Sequence, residues 1–148
     1  MDLIIEPLTP KFVDQVAEIE KECFSVPFTR EDILSYLEKD YWHFLIARDK
    51  DTVLGYISLT LIIDECNICN VATRGQHRGL GVGSRLVDSA ISLVRKNGGN
   101  KLFLEVRESN RVAIALYEKF GFLVAGVSKN HYTKPLENAV IMNLFLEN

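Results

Sequence analysis

Arg78-Gly79-Leu80-Gly81-Val82-Gly83-Ser84 lies between a run of strand character, Glu65–Thr73, and an amphipathic run that places Leu86, Val87, Ala90, Ile91 and Val94 on one helical face. Strand, glycine-rich turn and helix in that order form an anion site. Glycine lets the backbone take positive φ and approach a ligand closely, so several N–H groups can point at one place. The helix start adds unsatisfied N–H groups and the positive end of its dipole. Arg78 and Arg85 flank the turn and can add charge. The ligand-free alternative is a flexible structural turn.

Two common phosphate patterns do not fit. A P-loop carries Lys directly after its last glycine, and no Lys follows here. A dinucleotide fingerprint reads G-x-G-x-x-G directly after a strand. These glycines run G-x-G-x-G and begin several residues past Thr73.

Working outward, Leu3–Leu8 is predicted as a strand. Thr9 and Pro10 then start a helix as N-cap and first helical residue, and Phe12, Val13, Val16 and Ile19 carry its spacing to about Phe24. Thr29-Arg30-Glu31-Asp32 is a capping-box-like start for a second helix running to about Lys39. His43–Asp49 and Val53–Ile63 form a hairpin. After the loop and its helix, Asn97-Gly98-Gly99 is a stop signal. Lys101–Arg107 is a strand, Asn110–Phe120 a helix and Phe122–Ser128 a strand. Asn130–Asn138 is read as polar loop and Ala139–Leu146 as the last strand. The order β-α-α-β-β-β-α-β-α-β-β predicts an α/β or α+β fold with a mixed sheet and helices on its faces.

Bulk properties set limits. A chain of 148 residues fits one domain, so 1–148 is expected to be a single unit. Apolar residues at 47% and charged residues at 25% are ordinary for a globular protein. A net charge of −3 argues against a nucleic-acid partner, which would need a basic face. No signal-peptide pattern opens the chain and no apolar run is long enough to cross a bilayer, so no membrane role is expected. Cys23, Cys66 and Cys69 are too few for a disulfide scaffold, which points to the cytoplasm. Cys66-x-x-Cys69 resembles half a zinc site, but two thiols cannot complete one and this spacing on a strand points them to opposite faces. No metal is expected. His43, His77 and His131 are scattered, without ligand spacing.

Arg78-x-x-Gly81-x-Gly83 resembles the signature of the GNAT superfamily of N-acetyltransferases, and the resemblance extends over nearly the whole chain. It includes Pro27-Phe28-Thr29, Asn70-Val71-Ala72, Leu104-Glu105-Val106-Arg107, Asn110, Ala115-Leu116-Tyr117-Glu118, Phe120-Gly121-Phe122 and Asn130-His131-Tyr132. Within the superfamily the chain looks most like the RimI-type enzymes, which acetylate the N-terminal amine of a small-subunit ribosomal protein. The resemblance implies a GNAT fold, with about seven mostly antiparallel strands and four helices. It implies acetyl-CoA as donor. The backbone of Val71, Ala72 and Thr73 would pair with the pantetheine arm, on a strand that splays from its neighbour. Arg78, Gly79, Leu80, Gly81, Val82, Gly83 and Ser84 would hold the pyrophosphate. One departure is Arg74-Gly75, where relatives often carry Asp-Pro. That changes loop stiffness without removing the phosphate site.

Direct attack of an amine on a thioester needs a base for the ammonium proton and an acid for the leaving thiolate. Glu105 is the one carboxylate in the apolar strand Leu102–Val106, where partial burial would raise its pKa toward the useful range. The alternative is a half-exposed residue paired with a neighbouring cation. Tyr117 lies on the stripe Ala113, Leu116, Tyr117, Phe120, and pattern alone makes it a core residue. The resemblance implies Glu105 as base and Tyr117 as general acid. Asn110 reads as the N-cap of its helix, and the resemblance adds a CoA contact. Phe28, Tyr132 and Glu137, on two loops from which the family builds its acceptor groove, are candidates to line it. An α-amine of pKa ~8 is roughly a tenth neutral at pH 7, against about one part in a few thousand for lysine. That favours a protein N-terminus, and the resemblance implies a ribosomal one. A small amine, an antibiotic or a lysine side chain is the alternative acceptor, and a non-catalytic acyl-CoA-binding module the alternative class.

Overall fold

In the computed structural model, which describes residues 2–147, the strands are β1 (Ile4–Pro7), β2 (Trp42–Asp49), β3 (Thr52–Ile62), β4 (Glu65–Thr73), β5 (Lys101–Arg107), β6 (Leu123–Thr133) and β7 (Leu136–Phe145). The α-helices are α1 (Val13–Cys23), α2 (Arg30–Leu37), α3 (Val82–Lys96) and α4 (Arg111–Lys119). One seven-stranded sheet has the order β1-β2-β3-β4-β5-β7-β6. Every neighbouring pair is antiparallel except β4 and β5. This is the mixed, mostly antiparallel sheet with four helices expected from the sequence.

Two apolar clusters cover the two faces. On one, α3 and α4 pack Leu86, Val87, Val94 and Tyr117 against Ile57, Leu102, Val106 and Met142. On the other, α1 and α2 pack Val16, Ile19 and Ile33 against Phe44, Ile46, Tyr56 and Ala72. Alternation along the strands sorts side chains to the two faces.

Local signals place most of the ends. Thr29 caps α2 in a full capping box, its Oγ1 accepting from Asp32 N while Asp32 Oδ2 accepts from Thr29 N. Asn110 Oδ1 accepts from Ala113 N at 3.2 Å and caps α4. Gly98, at φ 82°, ends α3. Thr9 makes no side-chain cap bond, and Pro10–Phe12 is a 3-10 turn leading into α1.

The polar stretch Asn130–Asn138 is not a loop, and that expectation is corrected here. Tyr132 pairs with Glu137 and Thr133 with Leu136, so β6 and β7 continue into a tight hairpin. Strand pairing supplies backbone hydrogen bonds whatever the side chains, and both faces here are open enough for polar residues. The register breaks between Ser128 and Tyr132, where Asn130 has φ 52° and its N–H donates to Asn138 Oδ1 at 3.0 Å. That irregularity hides the strand from a period-two pattern.

Candidate active site

The β4–β5 pairing stops at Ile68↔Leu104, although β4 runs on to Thr73 and β5 to Arg107. The two strands therefore part, as the splay required. A second bulge helps. Ser58 faces Asn70 and Leu59 faces Ile68, so Cys69 has no opposite residue. The extra residue reverses the side-chain alternation, and Ala72 packs with the α1–α2 cluster while Cys66 and Ile68 pack with the α3–α4 cluster. Cys66 is buried and Cys69, the bulge residue, is exposed.

Between the parted strands lies a cleft of about 610 Å³. Phe28, Asn70, Val71, Glu105, Asn110, Tyr117, His131 and Tyr132 are among its lining residues. The structure thus brings together Glu105 from β5, Tyr117 and Asn110 from α4 and its cap, Val71 from β4, Phe28 from the α1–α2 connection and Tyr132 from β6. Ala72 is buried and Thr73 half-buried at the end of β4.

Glu137 is the exception. Its Oε1 accepts from Arg107 Nη1 at 3.3 Å and its Oε2 from Ser109 N at 2.6 Å, and it is absent from the cleft lining. These hydrogen bonds hold its carboxyl below the usual carboxylate range. It braces the end of β5 rather than lining an acceptor groove.

Glu105 is half open: 48% of its side chain is exposed, and its Oε2 lies 2.6 Å from His131 Nε2. The strand does not enclose the carboxylate, because its alternation turns Glu105 away from the helix-covered face that takes Leu104 and Val106. Its partner is a histidine, not the Lys or Arg considered from sequence. Tyr117 is 6% exposed, with its ring 5.6 Å from Phe122. Burial pushes its phenol well above the ordinary value, with Tyr132 adding to the shift, so the proton stays on. Tyr132 carries the Arg107 guanidinium 4.4 Å above its ring.

The glycine loop has the donor set of an anion cradle. Gly79 at φ 84° and Gly81 at φ 79° hold the turn. No carbonyl or side-chain acceptor among the described residues takes the N–H groups of Gly79, Gly81, Val82, Gly83 or Ser84. Gly83 meets a different demand, since a Cβ there would sit 3.3 Å from the Leu116 side chain of α4. Arg78 Nε donates to Thr73 O at 3.2 Å, so that guanidinium folds back on β4. Arg74-Gly75 is tied to α1, with Arg74 Nη2 3.4 Å from Glu18 Oε2 and Gly75 N donating to Glu22 Oε1 at 2.7 Å. The approach to the loop is therefore braced without Asp-Pro. A pyrophosphate is a suitable ligand for such a donor row.

Sequence reasoning missed two residues. His131 is separated from Glu105 by 26 positions (131 − 105) and no spacing rule joins them. Glu20 is fully buried, accepting from Phe28 N at 2.7 Å and from Asn70 Nδ2 at 3.0 Å. Burial, opposed by those bonds, pushes its pKa up to about 7. A charged residue on an apolar helical stripe was the available signal.

Comparison with known proteins agrees with the fold. The acetyltransferase (GNAT) family model matches residues 13–122. A Bacillus subtilis protein provisionally named a [ribosomal protein bS18]-alanine N-acetyltransferase is 37% identical over 88% of this chain and 87% of its own. The [ribosomal protein bS18]-alanine N-acetyltransferase of Haemophilus ducreyi is 30% identical over 97% of this chain and 100% of its own. The crystal structure of the Escherichia coli ribosomal-protein-alanine N-acetyltransferase superposes with a TM-score of 0.90, at 27% identity, covering 99% of this chain and 96% of that one.

Proposed function

This chain belongs to the GNAT family of acetyltransferases, and from that premise we propose that it moves acetyl from acetyl-CoA to the α-amine of a protein N-terminus, the N-terminal alanine of a small-subunit ribosomal protein. Such a substrate places the enzyme in the cytoplasm. What carries the proposal is that Glu105 and Tyr117 both line the cleft where β4 and β5 part, together with relatives named for that activity.

Acetyl-CoA supplies an activated thioester. The free edge of β4 over Val71, Ala72 and Thr73 supports its arm. The N–H row from Gly79 to Ser84 supports its pyrophosphate, with Asn110 beside the arm. Glu105 takes one proton from the acceptor ammonium, freeing the lone pair that forms the N–C bond as C–S breaks. Tyr117 gives its proton to the departing sulfur and recovers one from the acylated nitrogen. One proton in total is released to solvent. Phe28 and Tyr132 form the apolar walls on which the acceptor's first side chain rests.

A peptide panel of varied first residues, with acetylated sites mapped by mass spectrometry, tests the proposal. Acetylation of Ala-starting ribosomal peptides is the expected result. Strong acetylation of a lysine side chain, a small amine or an antibiotic with none at N-termini would overturn the acceptor assignment. Retained turnover in Glu105→Gln and Tyr117→Phe would overturn the residue roles.

A further inference from the structure

We infer that Arg107 is a positioning residue for acceptor binding, whose guanidinium clamps the β6–β7 hairpin to the end of β5 and so fixes Tyr132 as a wall of the cleft. The inference rests on the acceptor role proposed for Tyr132.

The sheet itself creates the need for a clamp. The last rung between β5 and β7 is Arg107↔Ala139. Beyond it, Tyr132↔Glu137 and Thr133↔Leu136 are rungs of two strands alone, with β6 at the sheet edge. A two-stranded hairpin is marginal in water without further support. The register break between Ser128 and Tyr132 interrupts the ladder that would tie this end to the rest of β6. Yet His131, Tyr132, Thr133 and Lys134 all line the cleft. A wall free to move would have to be ordered each time an acceptor binds, at a cost to affinity.

Arg107 meets that need with both the edge and the face of its guanidinium. Nη1 donates to Pro135 O at 2.9 Å and to Glu137 Oε1 at 3.3 Å, and Nη2 donates to Lys134 O at 3.3 Å. Lys134 and Pro135 are the turn that joins the two strands. The same guanidinium lies 4.4 Å from the centroid of the Tyr132 ring, within cation–π range. Its charge reaches the phenol: burial and Glu105 push the Tyr132 pKa up, and Arg107 opposes them. The Arg107 and Glu137 side chains are only 26% and 18% exposed, so water screens this network less than it would an open surface pair. Glu137 Oε2 extends the network by accepting from Ser109 N at 2.6 Å, on the connection between β5 and α4. A planar fork can serve several acceptors in its plane while stacking on an aromatic ring, and a lysine ammonium cannot.

Four variants test this with acetyl-CoA and the best peptide of the panel: Arg107→Met, Arg107→Lys, Tyr132→Leu and the double variant Arg107→Met with Tyr132→Leu. We expect Arg107→Met to raise the peptide KM by roughly tenfold, with the KM for acetyl-CoA within about twofold of the parent. Arg107→Lys keeps the charge without the fork, and should raise the peptide KM by about threefold or more. Because Arg107 acts through Tyr132, Arg107→Met should add less than about threefold to the peptide KM in the Tyr132→Leu background. A second arm needs no acceptor. Amide hydrogen exchange over residues 130–138 should quicken about tenfold in Arg107→Met, while exchange in α3 stays as in the parent. An unchanged peptide KM in the Arg107 variants, an equal rise in the KM for acetyl-CoA, or fully multiplicative effects in the double variant overturns the inference and leaves the proposed function standing. So does unchanged exchange in the hairpin. Should Arg107→Met fail to fold, Arg107→Lys decides by the same readings. A parent that acetylates no peptide N-terminus overturns the proposed function, and the exchange arm still decides whether Arg107 clamps the hairpin.

Discussion

Glu20 couples the two walls of the cleft, since one carboxylate binds the α1–α2 connection at Phe28 and β4 at Asn70. Its pKa, raised to about 7, has a defined sign for stability. Below the ordinary value of 4.5 both folded and unfolded chains hold the proton. Between about 4.5 and 7 only the folded chain does, so stability falls as pH rises through that window and levels off above it. Glu20→Gln keeps the shape without the charge. Denaturant melts should show it gaining on the parent by up to ~3 kcal/mol between pH 4.5 and pH 8. A difference that stays flat with pH would refute this. At Tyr117 the buried phenol keeps its proton, as a general acid must. Tyr117→Phe should lower kcat by about a hundredfold while acetyl-CoA affinity, followed by calorimetry, stays within a few-fold.

At the scale of elements, the loop before α3 and the box before α2 do different work. Gly81 is the N-cap of α3 at φ 79°, a conformation that costs an L-residue about 1 kcal/mol. Gly81→Ala should raise the KM for acetyl-CoA by roughly tenfold through loss of the N–H row, and leave the peptide KM alone. An effect confined to the peptide would place the phosphates elsewhere. The capping box at Thr29, the residue after Phe28, fixes the start of α2. Thr29→Ala should cost about 1 kcal/mol in chemical denaturation and raise the peptide KM instead. Together the two variants separate donor binding from acceptor binding by element.

For the molecule as a whole, one sheet runs from Ile4 to Phe145, and each of its two faces carries its own apolar cluster. Because every strand pairs with a neighbour in that sheet, neither cluster can lose its packing without exposing the back of the other. Calorimetry should therefore find one transition, with calorimetric and van't Hoff enthalpies equal. Two resolved transitions would argue that 1–148 is not a single folding unit. No helix among the described residues is long and apolar enough to cross a membrane.

The sequence by itself determined the elements whose signals are local. Capping at Thr29 and Asn110, the stop at Gly98 and the two faces of α3 depend on residues within a few positions of one another. The glycine loop belongs with them, because positive φ and a following helix start are properties of neighbours in the chain. Glu105 was legible as a carboxylate in an apolar strand, and Tyr117 as a member of a helical stripe. Their chemistry came from family resemblance, because period and spacing assign no roles. Tertiary structure alone decided the rest. Cys69 bulges because β3 sets its register, and His131 meets Glu105 because β6 is irregular and reaches across β7. Glu137 turns to Arg107 and Ser109 because the hairpin that carries it folds onto the end of β5. Each of these depends on which strand lies beside which, and contacts between residues far apart in the chain leave no periodic mark on either partner.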